Sequence, residues 1–340
     1  MLTNPKKKGN NVKHKFHATL ISALLSGAAL SCTFAFPAAA ETTLRLAHAS
    51  SPDSLINKAV EKFAAEVKEE SKGSVVIQIF PNGQLGDEGP IADGVGAGAI
   101  DIGLGGSIDA IDPRLNVLSL PFLFKDAANV HKFLDSEQGQ AVQHFGEKRG
   151  YLMLGALDSG FRQFATSKAI EKPADLSGVK IRTPPNPVIL ATMKQFGALA
   201  ESIPFGQVYT ALQSHVVAAV EPEMRDYYDS KWYEVAKHLT ISNYIWTANW
   251  WFMNKDRFDA LTPEEQVALR KSATDTVAWY RSELDKAYAD TQASLESKGV
   301  TVTKVDTAPF AEMVKPVYAQ FAKEWGADLV SAVEKSAASN

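Results

Sequence analysis

Residues 74–104 read SVVIQIFPNGQLGDEGPIADGVGAGAIDIGL, and this stretch decides the fold class. Its first seven residues are mostly β-branched or aromatic, which predicts a strand over 74–80 closed by a turn at 81–83. A short helix then leads to the glycines of 94–98, and the apolar run 100–104 predicts the next strand. Strand, helix and strand in this order predict parallel pairing, because a crossover helix returns the chain in the same direction.

The same alternation extends upstream. Residues 43–47, TLRLA, predict a further strand, and Asp53 or Ser54 can cap a helix that follows it. The apolar positions of that helix have helical spacing and are Val60, Phe63, Ala64 and Val67. The order over 43–104 is therefore β-α-β-α-β, which predicts an α/β fold with a mostly parallel sheet and helices on its faces.

A second block of alternating elements begins near residue 151. Its predicted strands are 151–156, 161–166, 179–182 and 216–220, and its predicted helices lie near 187–197, 205–213 and 223–237. A long, aromatic-rich strand region is predicted over 241–253. Because two such blocks in a chain of 340 residues exceed one typical domain, we expect two domains.

A long helix is predicted after the second block. Thr262-Pro263-Glu264-Glu265 is a capping box with proline at the first helical position. Helical spacing of apolar residues continues to Leu295, and Gly299 is typical of the residue that follows a helix. About 36 residues at 1.5 Å each give a helix of about 54 Å. Such a helix would brace both domains; two shorter helices with a break are the alternative.

The first 40 residues predict a secretory signal peptide. Five lysines between Lys6 and Lys15 form a positive head, an apolar run follows over 18–36, and three alanines end at Ala40. A membrane anchor is the alternative, but the run is of borderline length and no positive cluster follows it. We therefore expect cleavage after Ala40 and a periplasmic protein.

Cys32 is the only cysteine of the chain. The bulky residue before it lies one place away from the usual lipoprotein pattern, so lipidation there is not expected. Because Cys32 precedes the expected cleavage site, the mature protein would contain neither a disulfide nor a thiol nucleophile.

Residues 41–340 are acidic. The first 40 residues hold five of the 35 basic residues and none of the 39 acidic ones, so the remainder carries a net charge of −9. Nucleic acid is excluded as a partner, because binding its phosphates requires a basic surface. An anionic ligand would have to be held by a few local positive charges instead of by the overall field.

Motifs that suggest catalysis lack the context that they need. The glycines of 94–98 follow a predicted helix and precede a strand, whereas a dinucleotide-binding loop requires the reverse order. The sequence contains no G-x-S-x-G elbow and no H-E-x-x-H pair. We therefore predict no catalytic residues, cofactor or metal. A secreted α/β enzyme stays as an alternative, and the acid pair Glu221 and Glu223 leaves a metal site open.

Six segments occur in the order typical of one family. They are FPNGQLGD (80–87), LPFLF (120–124), GFRQ (160–163), LSGVKIR (176–182), PFGQVYTALQ (204–213) and KWYEV (231–235). Together they resemble the dicarboxylate-binding type of TRAP (tripartite ATP-independent periplasmic) transporter receptor across 42–340. The resemblance implies a two-lobed periplasmic binding protein, with a long helix across both lobes, that closes around an organic acid without catalytic turnover.

The resemblance also implies domain boundaries and partners. After the signal peptide 1–40, we expect lobe I to comprise 41–159 and 248–287, and lobe II to comprise 160–247 and 288–340. The expected partners are a small carboxylate ligand and the TRAP membrane subunits, and we expect a monomer. A receptor that presents its ligand to a signalling sensor is the alternative. The acid stays open among dicarboxylates, keto acids, sugar acids and aromatic acids.

The ligand-binding residues follow from the same resemblance. Arg182 lies at the family's principal carboxylate-binding arginine and at the carboxyl end of its predicted strand, where ligands of open α/β sheets bind. Its planar guanidinium can donate two parallel hydrogen bonds to a carboxylate. Arg162 matches a second arginine used by some members, Phe205 an aromatic that packs on the ligand, and Glu221 the acid of a Glu-Asn-Pro motif. The residues that align roughly with pocket loops are His48, Ser107, Trp246 and Asn249.

Each matched residue also has a structural alternative. Arg182 could bind a surface carboxylate, Arg162 could brace the hinge, and Phe205 could belong to the core. Glu221 could cap the next helix or stabilise the hinge. Where the family often has asparagine, this chain has Pro222, which lacks both a side-chain donor and a backbone N–H.

Overall fold

The structure, a computed structural model, describes residues 41–339, so the predicted signal peptide lies outside the described residues. The strands are β1 (Thr42–His48), β2 (Val75–Phe80), β3 (Ile102–Gly105), β4 (Tyr151–Phe161), β5 (Phe164–Thr166), β6 (Lys180–Thr183), β7 (Leu199–Ser202), β8 (Ala219–Val220), β9 (His238–Ile241), β10 (Trp246–Asn254) and β11 (Thr301–Lys304). The α-helices are α1 (Leu55–Glu70), α2 (Glu88–Gly96), α3 (Ala127–Asp135), α4 (Glu137–Gln143), α5 (Pro187–Gln195), α6 (Val208–Gln213), α7 (Met224–Asp229), α8 (Lys255–Asp259), α9 (Pro263–Ser297), α10 (Ala308–Met313), α11 (Lys315–Trp325) and α12 (Ala327–Ser339).

The strands form two mixed sheets. The first has the order β2-β1-β3-β10-β4 and the second the order β11-β9-β5-β8-β6-β7. β1 pairs in parallel with β2 and β3, as the β-α-β-α-β pattern predicts. β10 is antiparallel to both β3 and β4, and β5 is antiparallel to β8 and β9. The α/β class is confirmed. Both sheets contain antiparallel pairs of strands in addition to the predicted parallel pairs.

Local sequence explains the first helices. Ser54 caps α1, since its side chain accepts a hydrogen bond from the amide of Asn57, as predicted for Asp53 or Ser54. The glycines at the end of α2 permit close packing, because a Cβ on Gly96 would lie 2.2 Å from the hydroxyl of Tyr151 on β4. These glycines therefore let the helix lie against the sheet, and they form no dinucleotide-binding loop.

The long helix α9 is continuous over 35 residues, about 52 Å at 1.5 Å per residue. Its capping box is formed: the amide of Thr262 donates to Oε2 of Glu265, and the amide of Glu265 donates to Oγ1 of Thr262. Leu269 packs in the core beside the first sheet, and Leu295 packs in the core beside the second. The single helix that braces both halves is confirmed, and the two-helix alternative is wrong.

Two short segments that lie side by side connect the two sheets. Residues 162–163 join β4 to β5, and residues 242–245 join β9 to β10. They are bonded together, because the amide of Arg162 donates to the carbonyl of Ile245 and the amide of Tyr244 donates to the carbonyl of Arg162. α9 connects the sheets a third time. The described chain thus crosses between its two halves at three places.

Several elements differ from the sequence-based predictions. The helix predicted over 223–237 ends at Asp229, because Lys231 adopts a left-handed backbone with φ 57° that a right-handed helix cannot continue. The strand region predicted over 241–253 is divided where the chain crosses between the sheets. Helices α10 to α12 lie beyond the predicted elements. Within residues 41–339, no helix is both long and apolar enough to cross a membrane.

Candidate functional site

A cavity lies between the two sheets. Elements of the first-sheet half, including α2 and β10, face the end of β6, the start of α5 and α7 across it. Its volume is about 560 Å³, which includes the solvent at its mouth. The residues that line it are Glu88, Gly106, Ile108, Ser119, Ser159, Arg162, Arg182, Pro184, Asn186, Ile189, Phe205, Glu223, Asp226, Trp232, Thr247, Ala248, Asn249 and Trp250.

Arg182 brings a buried positive charge to this cavity. It lies at the carboxyl end of β6, as predicted, and is 3% exposed. Its Nε donates to the carbonyl of Ile203 at 2.9 Å, and its guanidinium lies over the ring of Trp232. Burial and the charge of Arg162 lower the pKa of Arg182 to about 10, so it is still a cation at neutral pH. Within residues 41–339, no carboxylate forms an ion pair with it and its terminal nitrogens have no hydrogen-bond partner.

Arg162 is equally buried, but its guanidinium is occupied. Its Nε and one terminal nitrogen donate to the carboxylate of Glu221, and the other terminal nitrogen donates to Glu223. Burial alone would lower the pKa of Arg162, but the two glutamates raise it above its usual value. The side chain therefore lines the cavity as part of a hydrogen-bonded network of one arginine and two glutamates at the join between the sheets.

The two glutamates of this network have different positions. Glu221 is fully buried behind Arg162, also accepts a hydrogen bond from the hydroxyl of Tyr244, and does not line the cavity. Glu223 lines the cavity and accepts a hydrogen bond from the hydroxyl of Thr247. Both acids thus bind an arginine. In the part of the chain that the structure describes, no group of three or more His, Cys, Asp or Glu side chains is arranged to hold a metal.

Aromatic rings and an amide complete the walls. Phe205 lines the cavity and packs on Trp232 with ring centroids 5.3 Å apart. Trp250 faces the same space from β10. Asn249 also lines the cavity, and its Nδ2 donates to Oγ of Ser159 at 2.8 Å. Of the residues predicted from the sequence, the structure therefore brings Arg182, Arg162, Phe205 and Asn249 together.

Three other predicted residues lie outside the lining. His48 is buried beside α1, where its Nε2 is 3.1 Å from Oδ1 of Asn57. Trp246 is in the core, and its indole donates to Asp158. Ser107 is next to the site, because its hydroxyl donates to Oε2 of Glu88 at 3.1 Å. It can position an acid of the cavity without lining the cavity itself.

Three further residues line the cavity that were not predicted as site residues, namely Glu88, Asp226 and Asn186. Glu88 is the first residue of α2, Asp226 lies in the first turn of α7, and Asn186 is the N-cap of α5. Burial and the neighbouring Asp87 raise the pKa of Glu88, and burial raises the pKa of Asp226 well above its usual value. Each residue lies at the start of a helix that follows a strand, and ligands of open α/β sheets bind at that edge of the sheet. Their position in the predicted elements was therefore a signal from which the sequence could have identified them.

Residues 46–324 match the family described as bacterial extracellular solute-binding protein, family 7. The chain is 32% identical over 309 residues to the 2,3-diketo-L-gulonate-binding periplasmic protein YiaO of Escherichia coli, covering 89% of this chain and 94% of that protein.

Solved structures have the same fold. A TRAP periplasmic solute-binding protein from Xanthobacter autotrophicus, with bound β-D-galacturonate, has a TM-score of 0.82 and 32% identity, covering 86% of this chain and 99% of that one. Another, from Sulfurospirillum deleyianum with bound succinate, has a TM-score of 0.81 and 27% identity, covering 87% of this chain and 99% of that one.

Proposed function

We propose that the cavity captures a small carboxylate through Arg182. The chain belongs to family 7 of the bacterial extracellular solute-binding proteins. The chain has the two-lobed fold of TRAP solute-binding proteins, and it is a transport receptor instead of an enzyme. Receptors of this type work outside the cytoplasmic membrane and pass their ligand to membrane subunits. The single observation that carries the role of Arg182 is its buried cation without an acidic partner among residues 41–339.

A buried charge without a partner is costly, and a ligand carboxylate would remove that cost. An isolated ion in a protein interior loses its hydration, and only a close opposite charge or hydrogen bonds compensate. The terminal nitrogens of Arg182 can supply a bidentate pair to a carboxylate. Arg162 is already neutralised by Glu221 and Glu223, so it supports the wall without supplying the main anchor. Phe205 would pack on the apolar part of the ligand.

The site is built from both halves of the molecule, so ligand binding would favour the closed state. A ligand that contacts both halves only when they are together shifts the population toward closure. We propose that the lobes comprise 41–159 with 248–287, and 160–247 with 288–340. The receptor would act in the periplasm as a monomer after removal of residues 1–40.

The test is calorimetric titration of the mature protein with carboxylates and with their neutral amides. We expect only the carboxylates to bind. Arg182→Lys keeps the charge but loses the planar pair, so affinity should fall by about ten- to a hundred-fold, equivalent to one charged hydrogen bond of about 1.5–3 kcal/mol. Arg182→Ala should lose at least as much, because the ligand carboxylate would be buried without a partner.

The matched control is Arg270→Ala, because Arg270 lies over Phe258, away from the cavity. Circular dichroism of each variant establishes that the fold is retained. Wild-type affinity in a folded Arg182→Ala protein would show that the carboxylate is held elsewhere.

A further inference from the structure

Acids are unusually frequent around this cavity for a site that binds an anion. Glu88, Glu223 and Asp226 line it together with Arg182. Glu223 accepts hydrogen bonds from Arg162, which it shares with Glu221, and from the hydroxyl of Thr247. Glu88 and Asp226 form no ion pair among residues 41–339. Glu88 accepts a hydrogen bond from Ser107, and the side chain of Asp226 has no hydrogen-bond partner in that part of the chain.

The balance of charge admits one carboxylate and opposes a second. Arg182 is the cation of the lining that lacks an ion-pair partner among residues 41–339, so it can receive one carboxylate. A second carboxylate on the same ligand would meet Glu88 and Asp226, and like charges brought together in a poorly solvated site cost free energy. Carboxyl groups are instead good partners for ligand hydroxyls, which donate charge-assisted hydrogen bonds to them.

The remaining walls suit a compact ring or chain that carries hydroxyls. Phe205, Trp232 and Trp250 offer flat apolar surfaces, and Asn249 and Ser159 offer further polar atoms between them. Burial raises the pKa of both Glu88 and Asp226. A carboxyl group in either protonation state can bind a hydroxyl, because the ionised form accepts and the neutral form both donates and accepts. A second ligand carboxylate differs, because the ionised form repels it and only the neutral form can bind it.

We infer that the ligand is a polyhydroxylated monocarboxylate, a sugar acid, whose carboxylate binds Arg182 and whose hydroxyls bind Glu88 and Asp226. The inference rests on the proposed function, since it takes Arg182 as the partner of the ligand carboxylate. Glu88 and Asp226 are then the specificity-determining residues. They stabilise a hydroxylated ligand and disfavour an unsubstituted dicarboxylate.

Calorimetry with four probes tests this: D-galacturonate, D-glucuronate, D-erythronate and succinate. At least one of the three sugar acids should bind the wild-type protein about 100-fold more tightly than succinate, since two hydrogen bonds to charged groups contribute about tenfold each or more. Succinate that binds as tightly as all three sugar acids overturns the inference.

The variants Glu88→Gln and Asp226→Asn separate specificity from general stability. Each should weaken the best sugar acid by about tenfold or more, and each should leave succinate unchanged or strengthen it, because a negative charge is removed. A merely structural role would weaken both ligands alike, and that result overturns the inference. Glu69→Gln, an exposed change on α1 with the same loss of charge, should alter neither affinity.

The outcome for Arg182 distinguishes the two proposals. If succinate binds best and Arg182→Ala abolishes its binding, the proposed function stands and the sugar-acid inference fails. If a sugar acid binds best and its affinity survives Arg182→Ala, the assignment of the carboxylate to Arg182 fails, and the inference fails with it. A wild-type protein that binds none of the four probes overturns the sugar-acid inference, whereas the proposed function is contradicted only if other small carboxylates also fail to bind.

Discussion

Arg162 and Arg182 are buried to the same extent, 4% and 3% exposed, yet their surroundings differ. Glu221 and Glu223 neutralise Arg162, whereas the terminal nitrogens of Arg182 face the cavity. The sequence placed both residues near strand ends but could not separate their roles. That distinction depends on Glu221 and Glu223 reaching Arg162 from a segment some 60 positions away along the chain.

Removal of Arg162 should therefore destabilise the fold far more than removal of Arg182. Arg162→Met leaves Glu221 buried without its partner, which should lower the free energy of unfolding by about 3–5 kcal/mol. Arg182→Met removes a buried cation that forms no ion pair among residues 41–339, so the ligand-free protein should lose little or no stability. Urea unfolding of both variants measures the difference. Equal losses would contradict the assignment of one arginine to the fold and the other to the ligand.

His48 should make stability depend on pH. Burial lowers the pKa of His48 from 6.5 to about 4, so its ring is neutral in the folded protein at neutral pH. The unfolded state binds the proton first, so this contribution to stability is complete above about pH 6.5 and is lost as pH falls through about 4. At about 1.4 kcal/mol per pKa unit, the folded protein should lose about 2–3 kcal/mol by the acid end of this range.

The variant His48→Gln isolates that contribution. The glutamine side chain cannot titrate but retains an amide that can donate to Oδ1 of Asn57, the present partner of Nε2. The free energy of unfolding should therefore decrease less between neutral and acid pH in this variant than in the wild-type protein. Parallel pH profiles of the two proteins would show that His48 does not contribute.

At the scale of elements, the sequence predicted the helices and strands whose ends are marked by capping residues, glycine or proline. Thr262 and Glu265 form a capping box and Gly299 adopts φ 82°, so both ends of α9 were recognisable. Lys231 has no such signal. It takes the left-handed backbone conformation that glycine adopts most easily, so the helix predicted over 223–237 ends at Asp229 in the structure. Such a position depends on tertiary packing, which local propensity does not report.

The cap of α9 should contribute measurably to stability. Thr262→Ala removes the side-chain acceptor for the amide of Glu265, and loss of such a cap costs about 1 kcal/mol. The matched control is Thr274→Ala, because Thr274 lies exposed within the same helix and bonds only to the preceding turn. Thermal or urea unfolding should show a loss for the first variant and none for the second. A Thr262→Ala protein as stable as the control would mean that tertiary packing alone holds the start of α9.

At the scale of the whole molecule, the site exists only because two sheets meet. The position of Arg182 at a strand end was predictable from the sequence, because strand ends of open sheets bind ligands. The approach of Glu88 and Asp226 from opposite halves was not, because it depends on how the sheets pack. Direct hydrogen bonds also join the two halves beside the cavity: Nδ2 of Asn186 donates to Oδ1 of Asn116 at 2.8 Å and to Oγ of Ser119 at 3.2 Å.

These bonds should stabilise the closed state before any ligand binds. Oδ1 of Asn186 caps α5 by accepting hydrogen bonds from the amides of Val188 and Ile189. Asn186→Asp therefore keeps the cap and removes only the N–H donors that bond to the other half. Each lost neutral hydrogen bond is worth about 0.5–1.5 kcal/mol, which would reduce the closed population several-fold. Small-angle scattering should then show a larger radius of gyration for the ligand-free variant than for the ligand-free wild-type protein.

Saturating ligand should bring both proteins to the same smaller radius of gyration, because ligand contacts in the closed state outweigh the lost bonds. Asn254→Asp is the matched control: its Nδ2 donates to the carbonyl of Val95 within the first-sheet half, and its Oδ1 caps α8 as that of Asn186 caps α5. That variant should scatter like the wild-type protein with and without ligand. If Asn186→Asp also matches the wild-type protein without ligand, the bonds of Asn186 do not govern closure. If saturating ligand reduces the radius of gyration of neither protein, closure itself is contradicted, because the Asn186→Asp protein should begin more open than the wild-type protein.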